Sequence, residues 1–231
     1  MKFYKVLSEG GAAYRGGTGV WHLPKGKRPG KWMPPIPKPK PYVRGYNVCR
    51  REDLVEWLGP EIYEVEIRGV KIQVIDKTVV EQARLLRRLD TWTERTARLF
   101  ACDCAERALA LTDSPDQRSV EAISVARRFA NGAATKQELA AARDAAWDAA
   151  TEWQAATKAA DDAAWAATAG TAAWQVADNA AWAADNAWQA AVAAARATAD
   201  AAWDAVAVGW DSERKWQTRR LFEYLNGERG K

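Results

Sequence analysis

Three cysteines and a single histidine are the residues that metal or nucleophilic chemistry would have to use. Cys102 and Cys104 flank Asp103 in a stretch that reads as helix, where residues two apart point about 200° away from each other. They therefore cannot grip one ion together, and with His22 as the only imidazole no Cys/His zinc set can be assembled. His22 and Cys49 would make a nucleophile and base only if the fold joined them, and a lone histidine beside Trp21 reads as structural. Arg15-Gly16-Gly17-Thr18-Gly19 lacks the GK[ST] ending of a phosphate loop and reads as a turn. Asp144/Asp148 and Asp200/Asp204 stand at i, i+4, but on polar helix faces, where nothing perturbs a carboxylate into acid–base work. No catalytic residue, cofactor or metal is assigned on this basis. One enzyme reading stays open, a nucleotide-dependent transferase site in a mixed α/β cleft. It would need Arg15, His22, Tyr46 and Glu66 to line one deep pocket.

Binding chemistry is better represented. Residues 1–90 hold 18 Lys/Arg against 10 Asp/Glu, whereas residues 91–231 hold 16 against 20, so the basic character belongs to the first part. Between Pro24 and Pro41 lie seven of the nine prolines, mixed with Lys25, Lys27, Arg28, Lys31, Lys38 and Lys40. Proline at this density excludes helix and central strand and favours an extended loop. Cations neutralise phosphates and aromatics stack on bases, so Lys25, Lys27, Arg28 and Lys31, with Trp21, Trp32, Tyr42 and Tyr46 nearby, are the nucleic-acid candidates, the alternative being a basic loop that only solubilises.

The second binding candidate lies in the alanine-rich part. From Leu139 to Val208, 35 of 70 residues are alanine, and seven tryptophans are set among them. Alanine steps by three and four on either side of Gly170 predict two amphipathic helices joined as a long antiparallel hairpin. Most of the tryptophans fall beside the alanine seam, but Trp147, Trp165 and Trp182 fall near the polar side. Rings there are either buried by another part of the chain or exposed, and exposed rings would mark a partner or self-association surface.

These residues need two different frames to hold them. Residues 1–77 read as a small basic mixed α/β domain: FYKVL and YVRGYNVC as strands, EDLVEWLG as a short helix, and IYEVEIR with VKIQVI as a hairpin about Gly69. Residues 78–231 read as an alanine- and tryptophan-rich bundle of four or five helices. Thr78 with Glu81, Thr91 with Glu94 and Thr135 with Glu138 have capping-box spacing. Pro115 after Ser114 announces another helix, which stops at Asn131-Gly132. Whether 79–111 is one helix or two is open. The tail SERKWQTRRLFEYL offers Trp216, Leu221, Phe222 and Leu225 as a covering stripe. The expected class is α+β, a small mixed domain followed by a mainly helical one. The opening MKFYKVLSEGG lacks a signal-like apolar core, no stretch is apolar enough to span a bilayer, and an odd cysteine count suits a reducing compartment. A cytoplasmic protein without a membrane segment is the expectation.

GTGVWHLPKGKRPGKW, YNVCRREDLVEWLG and IYEVEI together resemble an uncharacterised domain of phage and actinobacterial proteins. Such domains often carry Gly-x-His-x-Cys where this chain has Gly45-Tyr46-Asn47-Val48-Cys49, so the histidine position holds Asn47. TERTARLFACDCAERALAL, RSVEAISVARRFANGAATKQELAAARDAAWDAA and the closing KWQTRRLFEYL resemble alanine-rich helical immunity proteins. That resemblance implies a non-enzymatic accessory protein of a phage or mobile element that neutralises a protein partner by binding.

Overall fold

The computed structural model describes residues 1–15, 17–110, 115–152 and 203–230, the side chains of 147, 149–152 and 203–211 left aside. The chain divides into two units, Met1–Trp92 and Thr93–Lys231, and its class is α+β, with the strands first and the helices after them.

The first unit is built on strands β1 (Phe3–Leu7), β2 (Tyr46–Val48), β3 (Glu61–Gln73) and β4 (Thr78–Arg88). They form one antiparallel sheet in the order β1-β3-β4-β2. Cys49, just after β2, exchanges two backbone hydrogen bonds of 2.8 Å with Tyr4 of β1, so the sheet curls until its two edges meet. Phe3, Leu7, Val48, Tyr63, Val65, Val80, Ala83 and Leu85 fill the resulting half-barrel, with Trp21 and Met33 supplied by the long loop.

That loop is held along the free stretch of β4. Gly30, Met33 and Ile36 donate their backbone N–H groups to the carbonyls of Leu85, Ala83 and Glu81 at 2.8–2.9 Å. The loop therefore advances three residues for every two of the strand. The backbone at Gly30 passes so close to the chain at His22 that a Cβ there would lie 1.9 Å from the His22 carbonyl oxygen.

Several expectations fail in this unit. Residues 78–88 form a strand, not a helix, and the division into units falls at Trp92 rather than at 77. TVVEQARLLRR is rich in helix formers, but its neighbours decide the outcome, because β4 is paired on one side by β3 and on the other by β2 and the loop. Nor does the chain turn at Gly69. β3 runs straight through it, with a register irregularity between Arg68 and Lys71 and Gly69 at φ +72°. The Glu81 carboxylate accepts the Val70 N–H at 3.0 Å, which caps that bulge rather than a helix. EDLVEWLG shortens to a single 3₁₀ turn, Leu54–Trp57.

The second unit contributes α1 (Glu94–Leu109), α2 (Gln117–Ala130), α3 (Lys136–Glu152) and α4 (Trp203–Leu225). The cap of α1 is Thr93 with Thr96, not Thr91 with Glu94, and α2 is capped by Asp116, whose carboxylate accepts the Arg118 N–H at 2.8 Å. The Thr135–Glu138 box is formed as predicted: Glu138 accepts the Thr135 N–H at 2.7 Å while the Thr135 hydroxyl accepts the Glu138 N–H at 3.1 Å. Helix α2 ends at Asn131 and Gly132, as expected. The long hairpin lies largely outside the described residues.

Several charges of this unit gather around the buried carboxylate of Asp103. Asp103 accepts hydrogen bonds from Arg127 at 2.5 Å and from the Tyr224 hydroxyl at 2.9 Å. Arg220 and Arg229 lie 3.5 and 3.8 Å from it. Burial and the Asp103 charge both push the Tyr224 phenol well above its ordinary value. Of the predicted covering stripe, Leu221, Phe222 and Leu225 are buried, while Trp216 is half-buried with the guanidiniums of Arg107 and Arg220 at 4.6 and 5.2 Å from its ring.

Candidate nucleic-acid interface

The basic segment folds into a tight turn. Lys25 and Arg28 exchange backbone hydrogen bonds of 2.9 and 3.1 Å, and Gly26 at φ +57° supplies the left-handed residue the reversal requires. This turn and the docked run at Gly30 leave Lys25, Lys27, Arg28 and Lys31 exposed. Among the described residues none of the four meets a carboxylate within ion-pair distance. Cations in carboxylate pairs elsewhere in this unit, such as Arg50 with Asp53 and Arg84 with Glu66, make the contrast clear.

Aromatics accompany the charge. Trp32, next to Lys31, is partly buried, and the guanidiniums of Arg68 and Arg84 pack at 4.1 and 4.7 Å from its ring centroid. Arg68 is itself exposed. A second reversal, closed by Lys40 and Arg44, carries Tyr42 at φ +63° and 78% exposed. Trp21 and Tyr46 are placed otherwise. Trp21 is core, Tyr46 meets it edge-on at 5.4 Å, and the Tyr46 hydroxyl donates to the Pro34 carbonyl at 2.7 Å. Only Trp32 and Tyr42 of the four expected aromatics are thus on hand for a base.

The four groups of the transferase reading do not converge. His22 is exposed, Tyr46 is engaged with the loop, Glu66 pairs with Arg84, and Arg15 lines a cavity to which none of the other three belongs. His22 and Cys49 are likewise separate, since Cys49 lines that same cavity and His22 does not. Burial pushes the thiols of Cys49 and Cys102 up to about 12, which removes both as nucleophiles at neutral pH. Asp144 and Asp148 are exposed on α3. Trp147 lies on α3 with its side chain outside the described set, and Trp165 and Trp182 lie outside the described residues altogether.

Comparison with protein families, curated proteins and solved structures finds no match. The site therefore rests on its own geometry. No helix among the described residues is long and apolar enough to cross a membrane.

Two clusters escaped the reading of the sequence. One is the Asp103 centre, whose only local sign is a carboxylate placed inside the apolar run LFACDCA. The other is the cavity, where Lys5, Asn47, Trp57 and Lys77 join Arg15 from four separate parts of the chain. No local spacing could have announced that meeting.

Proposed function

We propose that the Met1–Trp92 unit binds nucleic acid, gripping the phosphate backbone with Lys25, Lys27, Arg28 and Lys31 and offering Trp32 and Tyr42 to bases. The observation that supports this reading is the set of four exposed cations without carboxylate partners among the described residues. Such charges neutralise phosphates and release counterions, which gives affinity with little sequence preference. Four contacts correspond to a slope of log affinity against log salt of about −3 to −4. Raising salt from 50 to 200 mM should then weaken binding by roughly a hundredfold. The test is fluorescence anisotropy of the full chain with a labelled oligonucleotide lacking a terminal phosphate. The comparison is the variant with Lys25, Lys27, Arg28 and Lys31 all changed to glutamate. Loss of binding with an unchanged circular dichroism spectrum supports the reading. Absence of binding at low salt, or equal binding by the variant, rejects it. The role in which Trp147, Trp165 and Trp182 meet a protein partner rests on the sequence alone.

A further inference from the structure

The cavity of about 200 Å³ in the first unit has an unusual balance of groups. It is lined by Lys5 of β1, Arg15 and Tyr14 of the turn after it, Asn47 and Cys49 at β2, Trp57 of the 3₁₀ turn, and Lys77 before β4. Three cations thus converge on a space smaller than an ordinary small-molecule pocket.

Lys5 is the informative member. Its ammonium donates to the Asn47 carbonyl at 3.0 Å and sits 5.3 Å from the Trp21 ring centroid, and among the described residues no carboxylate approaches it. Burial holds its pKa below the ordinary lysine value, the direction expected of a cation short of compensation. Lys77 is 8% exposed and lies 3.4 Å from the Asp76 carboxylate, with Trp57 and Tyr42 rings at 4.8 and 4.7 Å. Arg15 stands exposed at φ +56°, donates to the Glu56 carbonyl at 3.1 Å and faces the Trp57 ring at 5.4 Å. The Trp57 ring is itself fixed, because its N–H donates to the Asp76 carbonyl at 2.9 Å. Holding an ammonium against a ring and a carbonyl without a counter-ion costs stability, and an apolar residue at this half-buried position of β1 would avoid the cost.

We propose that this cavity is a binding site for a phosphomonoester dianion. Lys5, Lys77 and Arg15 all line it, Lys77 buried and Arg15 exposed at its mouth, so three cationic donors can meet one oxyanion there. Tyr14 and Trp57 are the walls that the esterified group would meet. The site shares no residue with the Lys25–Lys31 cluster, so it does not depend on the nucleic-acid reading.

The test is isothermal titration calorimetry of the full chain with inorganic phosphate and, separately, with a nucleoside 5′-monophosphate, against sodium chloride at matched ionic strength. One anion per chain is expected, and Lys5→Met should weaken it at least tenfold without lowering the melting temperature of the ligand-free protein. If Lys5→Met does not fold, Arg15→Gln at the exposed mouth reads the same loss. Tighter binding of the ester than of phosphate assigns the aromatic walls to its organic part. Equal binding overturns the ester assignment and leaves a site for free phosphate. No heat above the chloride control, or unchanged binding by the variants, overturns the proposal. The variant with Lys25, Lys27, Arg28 and Lys31 replaced should retain phosphate binding, which separates failure of one site from failure of the other.

Discussion

Replacing Asp103 with alanine tests whether the polar centre of the helical unit holds α1, α2 and α4 together. The substitution removes one carboxylate from contact with Arg127, Arg220, Arg229 and Tyr224. Breaking a fully buried pair costs about 3–5 kcal/mol, because the remaining charge is left uncompensated. The cost here is smaller. Arg127 keeps Glu106 at 2.7 Å, Arg220 and Arg229 keep Glu223 at 3.1 and 3.0 Å, and the Arg127 and Arg229 side chains are 29% and 47% exposed. With that discount Asp103→Ala should cost about 2–3 kcal/mol. Tyr224→Phe, which removes one neutral donor to a charged acceptor, should cost about 1–2 kcal/mol. Asp103→Asn keeps an acceptor for Tyr224 and should fall between the two. Urea unfolding followed by the 222 nm helix signal reads these differences, and Asp103→Ala should move the midpoint by about 1 M at unchanged slope. The double variant should show a coupling of about 1 kcal/mol. An Asp103→Ala effect below about 0.5 kcal/mol, the range of ordinary surface changes, would refute the reasoning. Strict additivity with Tyr224→Phe would refute it as well.

Three further outcomes are expected. Glu64 accepts from Lys2 at 3.2 Å and twice from Arg87 at 2.8 Å, and the Arg87 hydrogen bonds hold its carboxyl below the ordinary value. A depressed folded pKa means that its stabilisation, at most about 1 kcal/mol, is complete above the ordinary carboxylate pKa and is lost as pH falls through the lower folded value. Glu64→Gln should flatten that acid limb in thermal melts, and an unchanged limb counts against it. Cys49, Cys102 and Cys104 are all buried, so a thiol reagent at pH 8 should label none of them quickly in native protein and all three in urea. Rapid native labelling would contradict the packing. Gly30→Ala places a methyl against the His22 carbonyl and should destabilise the first unit by about 1–3 kcal/mol, and a neutral result in urea melts would contradict the close approach.

Local signals were readable where one segment carries both members of an interaction. Thr135 and Glu138 stand three residues apart and cap α3, and Asn131-Gly132 ends α2, because a cap is satisfied within one turn. Thr78 and Glu81 have the same spacing and form no cap. The Glu81 carboxylate meets Val70, eleven residues earlier, and strand pairing overrides the helix formers around it. The basic turn was legible because its charge is contiguous. The phosphate cavity was not, since Lys5 and Lys77 become neighbours only when the sheet closes.

The way the proline segment lies on β4 also bears on self-association. Met33-Pro34-Pro35-Ile36-Pro37 has backbone N–H groups only at Met33 and Ile36, and both are spent on β4 carbonyls. A strand from a second molecule arriving at this border would find acceptors but no donors, so no ladder could be extended from it. The run of prolines thus acts as a stop for sheet growth and keeps the border of a small half-barrel from serving as a template for aggregation.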